Sequence, residues 1–184
     1  DEGKNIIPED VTHCAIYFLR NPLDIAGSLA NHMHFSIQEA VDMLNNENSF
    51  LARQPGNLNN NVQFRQHLSD WSGHVNSWTL RPSFPVCPVR YEDMLSDTFG
   101  TFKKVLGYIG WVYSDEQIKA AIAATSFESL SKQEMEKGFK EKARKSKSFF
   151  RAGTMGNWEK ELSTEQINNI ISANKEVLIK YDYI

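Results

Sequence analysis

The chain has 184 residues, 41% hydrophobic and 23% charged, the balance of an ordinary globular domain long enough to bury a real core. Its longest uninterrupted apolar run, Cys14 to Leu19, is far too short to cross a bilayer, and no signal peptide is expected ahead of it, which argues against a membrane protein. The net charge of −3 is uneven: Lys137 to Arg151 holds seven basic residues against one acid, Glu141, so the remainder is strongly acidic, which disfavours a general nucleic-acid binder and suits a small polyanion.

Cys14 to Leu19 predicts a strand buried on both faces, ending in Arg20-Asn21-Pro22. Asn21 is a natural helix cap, Pro22 suits the first helical position, and Asp24 falls near the third. A helix is expected to about His34, with Ile25 and Leu29 on one face. Residues 36–61 predict a short amphipathic helix and then an Asn-rich excursion that reads as a lid or acceptor loop. The spacing of Phe64, Leu68, Trp71, Val75 and Trp78 predicts a helix over 62–80.

A second strand is expected over Phe84 to Tyr91, interrupted by Pro85 and Pro88. Asp97 caps a helix carrying Phe99, Phe102, Val105, Leu106 and Ile109, stopped by Gly110. Ser114 with Gln117 and Ser163 with Gln166 are capping boxes for two later helices, and Thr125-Ser126-Phe127 starts another. Between them lies the basic segment, which with its flanks spans 137–157 and suits a small polyanion. The whole reads as one α/β domain, 1–184, with a parallel sheet flanked by helices. Two strands are few for so much helix, so the rest of the sheet is expected outside this chain. Cys14 and Cys87 do not suggest a disulfide framework, and no Asn-x-Ser/Thr site occurs, so a reducing, cytoplasmic setting is expected.

The physics marks Arg20 to Ser28 as the strongest site. A buried strand delivers Arg20 to the carboxyl edge of the sheet, the next helix turns its positive end there, and Ser28 lies one turn beyond Asp24. The competing reading of the same residues is an Arg–Asp ion pair at a well-capped helix start.

Arg20 to Ser28 resembles the R-N-P-x-D-x-x-x-S motif of sulfotransferases that use 3'-phosphoadenosine 5'-phosphosulfate (PAPS). In the same order Val89 to Met94 resembles that family's R-Y-E-D-L strand end, and Thr125-Ser126-Phe127 its T-S-F segment. Phe149 to Gly153 resembles its F-x-R-K-G loop, Gly156-Asn157-Trp158 its G-D-W, and Trp71 to Trp78 the W-x-x-H-V-x-x-W helix of bacterial members. The resemblance implies a P-loop-like three-layer fold, here its helix-rich C-terminal portion. It implies that Arg20, Ser28, Phe150, Arg151 and Gly153 gather around the donor's 3'-phosphate, and Tyr91, Thr125, Ser126 and Phe127 around adenine, with 137–157 closing on the nucleotide. It further implies PAPS or its product PAP as co-substrate, no metal, and a small-molecule hydroxyl acceptor, without nucleic acid or membrane.

Three departures accompany it. Ala152 stands where the family loop has Lys, and Glu159 to Asn168 lacks the family's dimerisation residues. No Lys-containing phosphate loop occurs, and His13, His32, His34, His67 and His74 match no catalytic position. The family base is expected upstream of Asp1, so no catalytic residue is assigned here and an N-terminal segment of the same enzyme is expected to be needed. The rival expectation is a catalytically silent PAP-binding or structural fragment.

Overall fold

Apolar stretches bounded by turn formers put strands at Ala15–Leu19 and Val86–Arg90, near where the sequence predicts them, and capping residues start most of the helices. A computed structural model describes residues 7–51, 66–80, 82–138 and 153–184. In chain order the elements are β1 (Ala15–Leu19), α1 (Pro22–Met33), α2 (Ile37–Leu44), β2 (Phe50–Leu51), β3 (Gln66–His67), α3 (Trp71–Thr79), β4 (Val86–Arg90), α4 (Tyr91–Ser96), α5 (Thr98–Tyr108), α6 (Asp115–Ala124), α7 (Phe127–Lys137), α8 (Trp158–Glu161) and α9 (Thr164–Lys180). They fall into two compact units, one from the described parts of Asp1–Arg20 and Arg81–Met155, the other from those of Asn21–Leu80 and Gly156–Ile184.

In the first unit β1 and β4 pair in parallel, from Ala15 opposite Val86 to Leu19 opposite Arg90. Both strands therefore end together, which brings Arg20 beside the Arg90–Tyr91 junction. Leu19, Val89, Val105, Leu106 and Ile118 are buried. Asp97 caps α5 by accepting from Gly100 N at 2.8 Å, as expected. The strand prediction over Phe84 to Tyr91 is trimmed at both ends, and Tyr91 opens α4, which the sequence reading did not anticipate. Cys14 and Cys87 are free thiols. Burial, reinforced by neighbouring Cys14, pushes the Cys87 thiol pKa up, so it stays protonated at neutral pH.

The second unit packs α1 against α2, α8 and α9, and α3 against α9. Leu23, Ala26, Ala30, Val41, Trp71, Val75, Ile170 and Leu178 form its apolar interior. The helix expected over 62–80 is corrected. Residues 62–65 lie outside the described residues, Gln66–His67 pairs antiparallel with Phe50–Leu51, and the helix starts only at Trp71. The cause is local: Asp70 caps α3, and Ser69 has φ of 64°, so no helix runs through them.

Asn174, 1% exposed, is a polar hub of this interior. Its Oδ1 accepts from Ser72 N at 3.1 Å and Ser72 Oγ at 2.8 Å, while its Nδ2 donates to Asn45 Oδ1 and to Ile170 O, each at 3.0 Å. Its backbone breaks the regularity of α9, with φ −118° and ψ 15°. Replacing it by alanine strips partners from part-buried groups of Ser72 and Asn45 and from the buried Ile170 carbonyl. We expect Asn174→Ala to lower stability by about 2–3 kcal/mol, read from chemical denaturation; a loss under about 0.5 kcal/mol would mean that water replaces these bonds.

Candidate functional site

Arg20 follows the last residue of β1, where the parallel register sets it next to Tyr91 at the end of β4. Its guanidinium carbon lies 4.4 Å from the centre of the Tyr91 ring, close enough for a cation–π stack. Arg20 Nη2 donates to the Thr154 carbonyl oxygen at 2.8 Å. One residue earlier, Gly153 holds φ of +59°, and an added Cβ there would sit 2.6 Å from Phe127 Cδ2. The backbone of Gly153 thus lies flush on the Phe127 ring, and the next residue reaches Arg20. Six of the residues expected around one nucleotide (Arg20, Tyr91, Thr125, Ser126, Phe127 and Gly153) belong to the first unit.

Phe127 opens α7 and is 42% exposed, its ring partly covered by the Gly153 backbone. It also lines an open groove of about 560 Å³ with Glu128, Ser131, Lys132, Met135 and Glu136. The acids Glu128 and Glu136 make that groove a poor place for a phosphate. Thr125 and Ser126 have local duties as well. The Thr125 hydroxyl donates to Ala121 O at 2.9 Å, closing α6, and Ser126 caps α7 by accepting from Ser129 N at 3.2 Å. A hydroxyl carries two acceptor lone pairs, so capping and a further contact are compatible.

Ser28 belongs to the second unit, exposed on the second turn of α1. The N-terminal turn of α1 is built as expected, with Asn21 Oδ1 accepting from Leu23 N at 3.0 Å and Pro22 in the first turn. Asp24 has a task that the sequence reading missed. It is 7% exposed, and its carboxylate accepts from Gly156 N at 2.9 and 3.1 Å and from Trp158 N at 3.4 Å. The resemblance placed Asp24 and the Gly156-Asn157-Trp158 segment in separate motifs; the structure joins them.

Phe150 and Arg151, both assigned to the 3'-phosphate, lie outside the described residues. Among the histidines, His67 Nε2 donates to Glu47 O at 2.8 Å and its ring packs against Phe50, and burial pushes the His74 pKa down. His74 is therefore a neutral ring at pH 7. Among the described residues no group of three or more His, Cys, Asp or Glu is placed to hold a metal ion, and no helix is long and apolar enough to cross a membrane.

A family model described as the sulfotransferase domain matches residues 12–182. Among curated relatives, the chain is 25% identical to sulfotransferase 2A1 of Rattus norvegicus over 82% of this chain and 51% of that protein. It is 24% identical to a flavonol sulfotransferase-like protein of Flaveria bidentis, over 89% of this chain and 55% of that protein. The chain thus spans about half the length of the curated relatives it matches. Among solved structures, mouse sulfotransferase SULT7A1 complexed with PAP superposes with a TM-score of 0.63 at 19% identity, covering 91% of this chain and 59% of that one. Retinol dehydratase in complex with retinol and PAP gives 0.64 at 20%, covering 89% and 47%. These likenesses share the mixed α/β fold with its parallel strands.

Proposed function

The chain belongs to the sulfotransferase family, and from that premise we propose that it forms the donor-nucleotide side of an enzyme that moves a sulfuryl group from PAPS to a hydroxyl of a small-molecule acceptor. The observation that carries this reading is the group at the strand ends: Arg20 beside Tyr91, with Gly153–Thr154 reaching from Phe127 to Arg20. An anchored guanidinium on the Tyr91 face, with the Phe127 ring against the neighbouring Gly153, fits a phosphorylated purine nucleoside, because the fork takes the phosphate and a flat ring takes the base.

In the proposed reaction the acceptor oxygen attacks sulfur as the bond from sulfur to the 5'-phosphate oxygen breaks. The acceptor proton passes to a base, and PAP departs with the bonding electrons. Arg20, Ser28 and Arg151 hold the 3'-phosphate, with Phe150 and Gly153 closing beside it, and Tyr91, Thr125, Ser126 and Phe127 surround adenine. None of these is the base. Catalysis on this side is positioning: a fixed nucleotide fixes the line of displacement. The base and the 5'-phosphosulfate contacts are assigned to sequence beyond these residues, as are strands that complete the sheet. Phe18, 61% exposed on β1, leaves part of a sheet face bare, and parallel sheets are ordinarily covered on both faces, which fits a covering layer from beyond these residues. Residues 36–61 are assigned to the acceptor side and 137–157 to closure over the nucleotide, within one domain. Free Cys14 and Cys87 suit a reducing, cytoplasmic setting.

Calorimetric titration with PAP against adenosine 5'-phosphate, which lacks the 3'-phosphate, tests the reading. PAP should bind markedly more tightly; equal affinities would leave a structural part of a sulfotransferase. Gly153→Ala should weaken PAP binding about fivefold, because a side chain at positive φ is strained and this one would displace the Phe127 ring.

A further inference from the structure

We infer that Tyr91 and the Thr154 carbonyl are positioning groups for Arg20, so that preference for a 3'-phosphorylated nucleotide depends on the Tyr91 ring face and not only on any contact that ring makes with the base. This rests on the assignment of Arg20 to the 3'-phosphate.

An arginine at the end of a strand has four rotatable side-chain bonds, and the entropy of fixing them opposes every contact its fork makes. Here two independent groups fix the guanidinium before any ligand arrives. The Tyr91 ring covers one face at 4.4 Å, and the Thr154 oxygen takes one N–H at 2.8 Å. A plane restrained by a face contact and an edge bond has one orientation, so the fork points one way. Both restraints come from backbone features that do not depend on a nucleotide. The parallel register brings Tyr91 to the end of β4 beside Arg20, and the left-handed turn at Gly153 aims the following carbonyl. Bidentate recognition of a phosphate is sensitive to orientation, so restraint of the plane is worth affinity at the 3'-phosphate and nothing at the base or the 5' group.

The experiment measures the ratio of PAP to adenosine 5'-phosphate affinity for the chain and for Tyr91→Phe, Tyr91→Leu, Arg20→Ala and the double variant Arg20→Ala/Tyr91→Leu. Tyr91→Phe keeps the face and should keep the ratio, whereas Tyr91→Leu should lower it about 5- to 10-fold, the range of a partly desolvated cation–π contact. In the Arg20→Ala background Tyr91→Leu should change the ratio no further. If Tyr91→Leu weakens both nucleotides equally, the ring serves the base alone and the positioning role is overturned. If Arg20→Ala leaves the ratio intact, or neither nucleotide binds, the donor-site reading falls and this inference with it. A collapse with Arg20→Ala but none with Tyr91→Leu removes the inference alone. A ligand-free readout covers a Tyr91→Leu chain that does not fold: nitrogen-15 relaxation at Arg20 Nε should report a rigid group in the unliganded chain, and a freely moving one overturns the proposal.

Discussion

Replacing Arg20 by alanine should weaken binding of PAP about 100-fold while leaving adenosine 5'-phosphate within about twofold. The magnitude follows from the chemistry of the contact. A hydrogen bond to a charged group contributes about 1.5–3 kcal/mol, a bidentate fork makes two, and their geometric coupling keeps the sum near the lower end, about 3 kcal/mol. Arg20→Lys keeps the charge and loses the fork, so it should recover only part of the affinity, about tenfold above alanine. The same substitution also removes the partner of the Tyr91 ring and of the Thr154 oxygen. Both contacts are partly solvated, so the midpoint of thermal unfolding should move by only a few degrees. A large fall in that midpoint with no selective loss of PAP would recast Arg20 as a structural residue. Titrations at two salt concentrations add a further check, since a contact to a phosphate weakens as screening rises.

The parts of this fold that were legible in the sequence are those that depend on neighbours in the chain. β1, the Asn21 cap with Pro22, the Asp97 cap and the two boxes at Ser114 and Ser163 each stand where local patterns put them. The helix expected over 62–80 meets both a local stop, the Asp70 cap with Ser69 at positive φ, and a distant partner. Leu68 fits a helical stripe with Trp71 and Val75, yet its backbone N–H bonds to Ser49 O at 2.8 Å as part of a strand pairing that no local window contains. Tyr91 was read as the end of a strand because Val89 and Arg90 are extended, but the chain turns into α4 at that residue.

The candidate site divides in the same way. Arg20 and Tyr91 were each singled out from their own motifs, but their stack follows from the β1/β4 register, a tertiary fact. Phe127 is 42% exposed, and the seat of Gly153 against its ring has no local signal in the sequence. Phe150 and Arg151 fall outside the described residues, so their assignment rests on the resemblance and, for Arg151, on its basic surroundings in the sequence.

Asp24→Ala is expected to lower the stability of the chain by about 3–4 kcal/mol, measured as the shift in urea midpoint multiplied by the slope. The carboxylate is 7% exposed and accepts from two backbone N–H groups, of Gly156 and Trp158, across a separation of more than 130 residues. Alanine leaves both donors without this acceptor, and each N–H so stranded costs about 1–3 kcal/mol. Asp24→Asn should lose about half as much, because an amide oxygen still accepts but carries no charge. The surroundings leave little room for repair. An added Cβ on Gly27, one turn along the same helix, would run into the Glu161 carboxylate, so α1 and α8 approach closely at this point. The aspartate of the R-N-P-x-D motif thus acts as a clasp between the start of α1 and the Gly156–Trp158 turn. If Asp24→Ala instead lost less than about 1 kcal/mol, water would have to reach both N–H groups, and the motif's acid would then need an explanation from the ligand side.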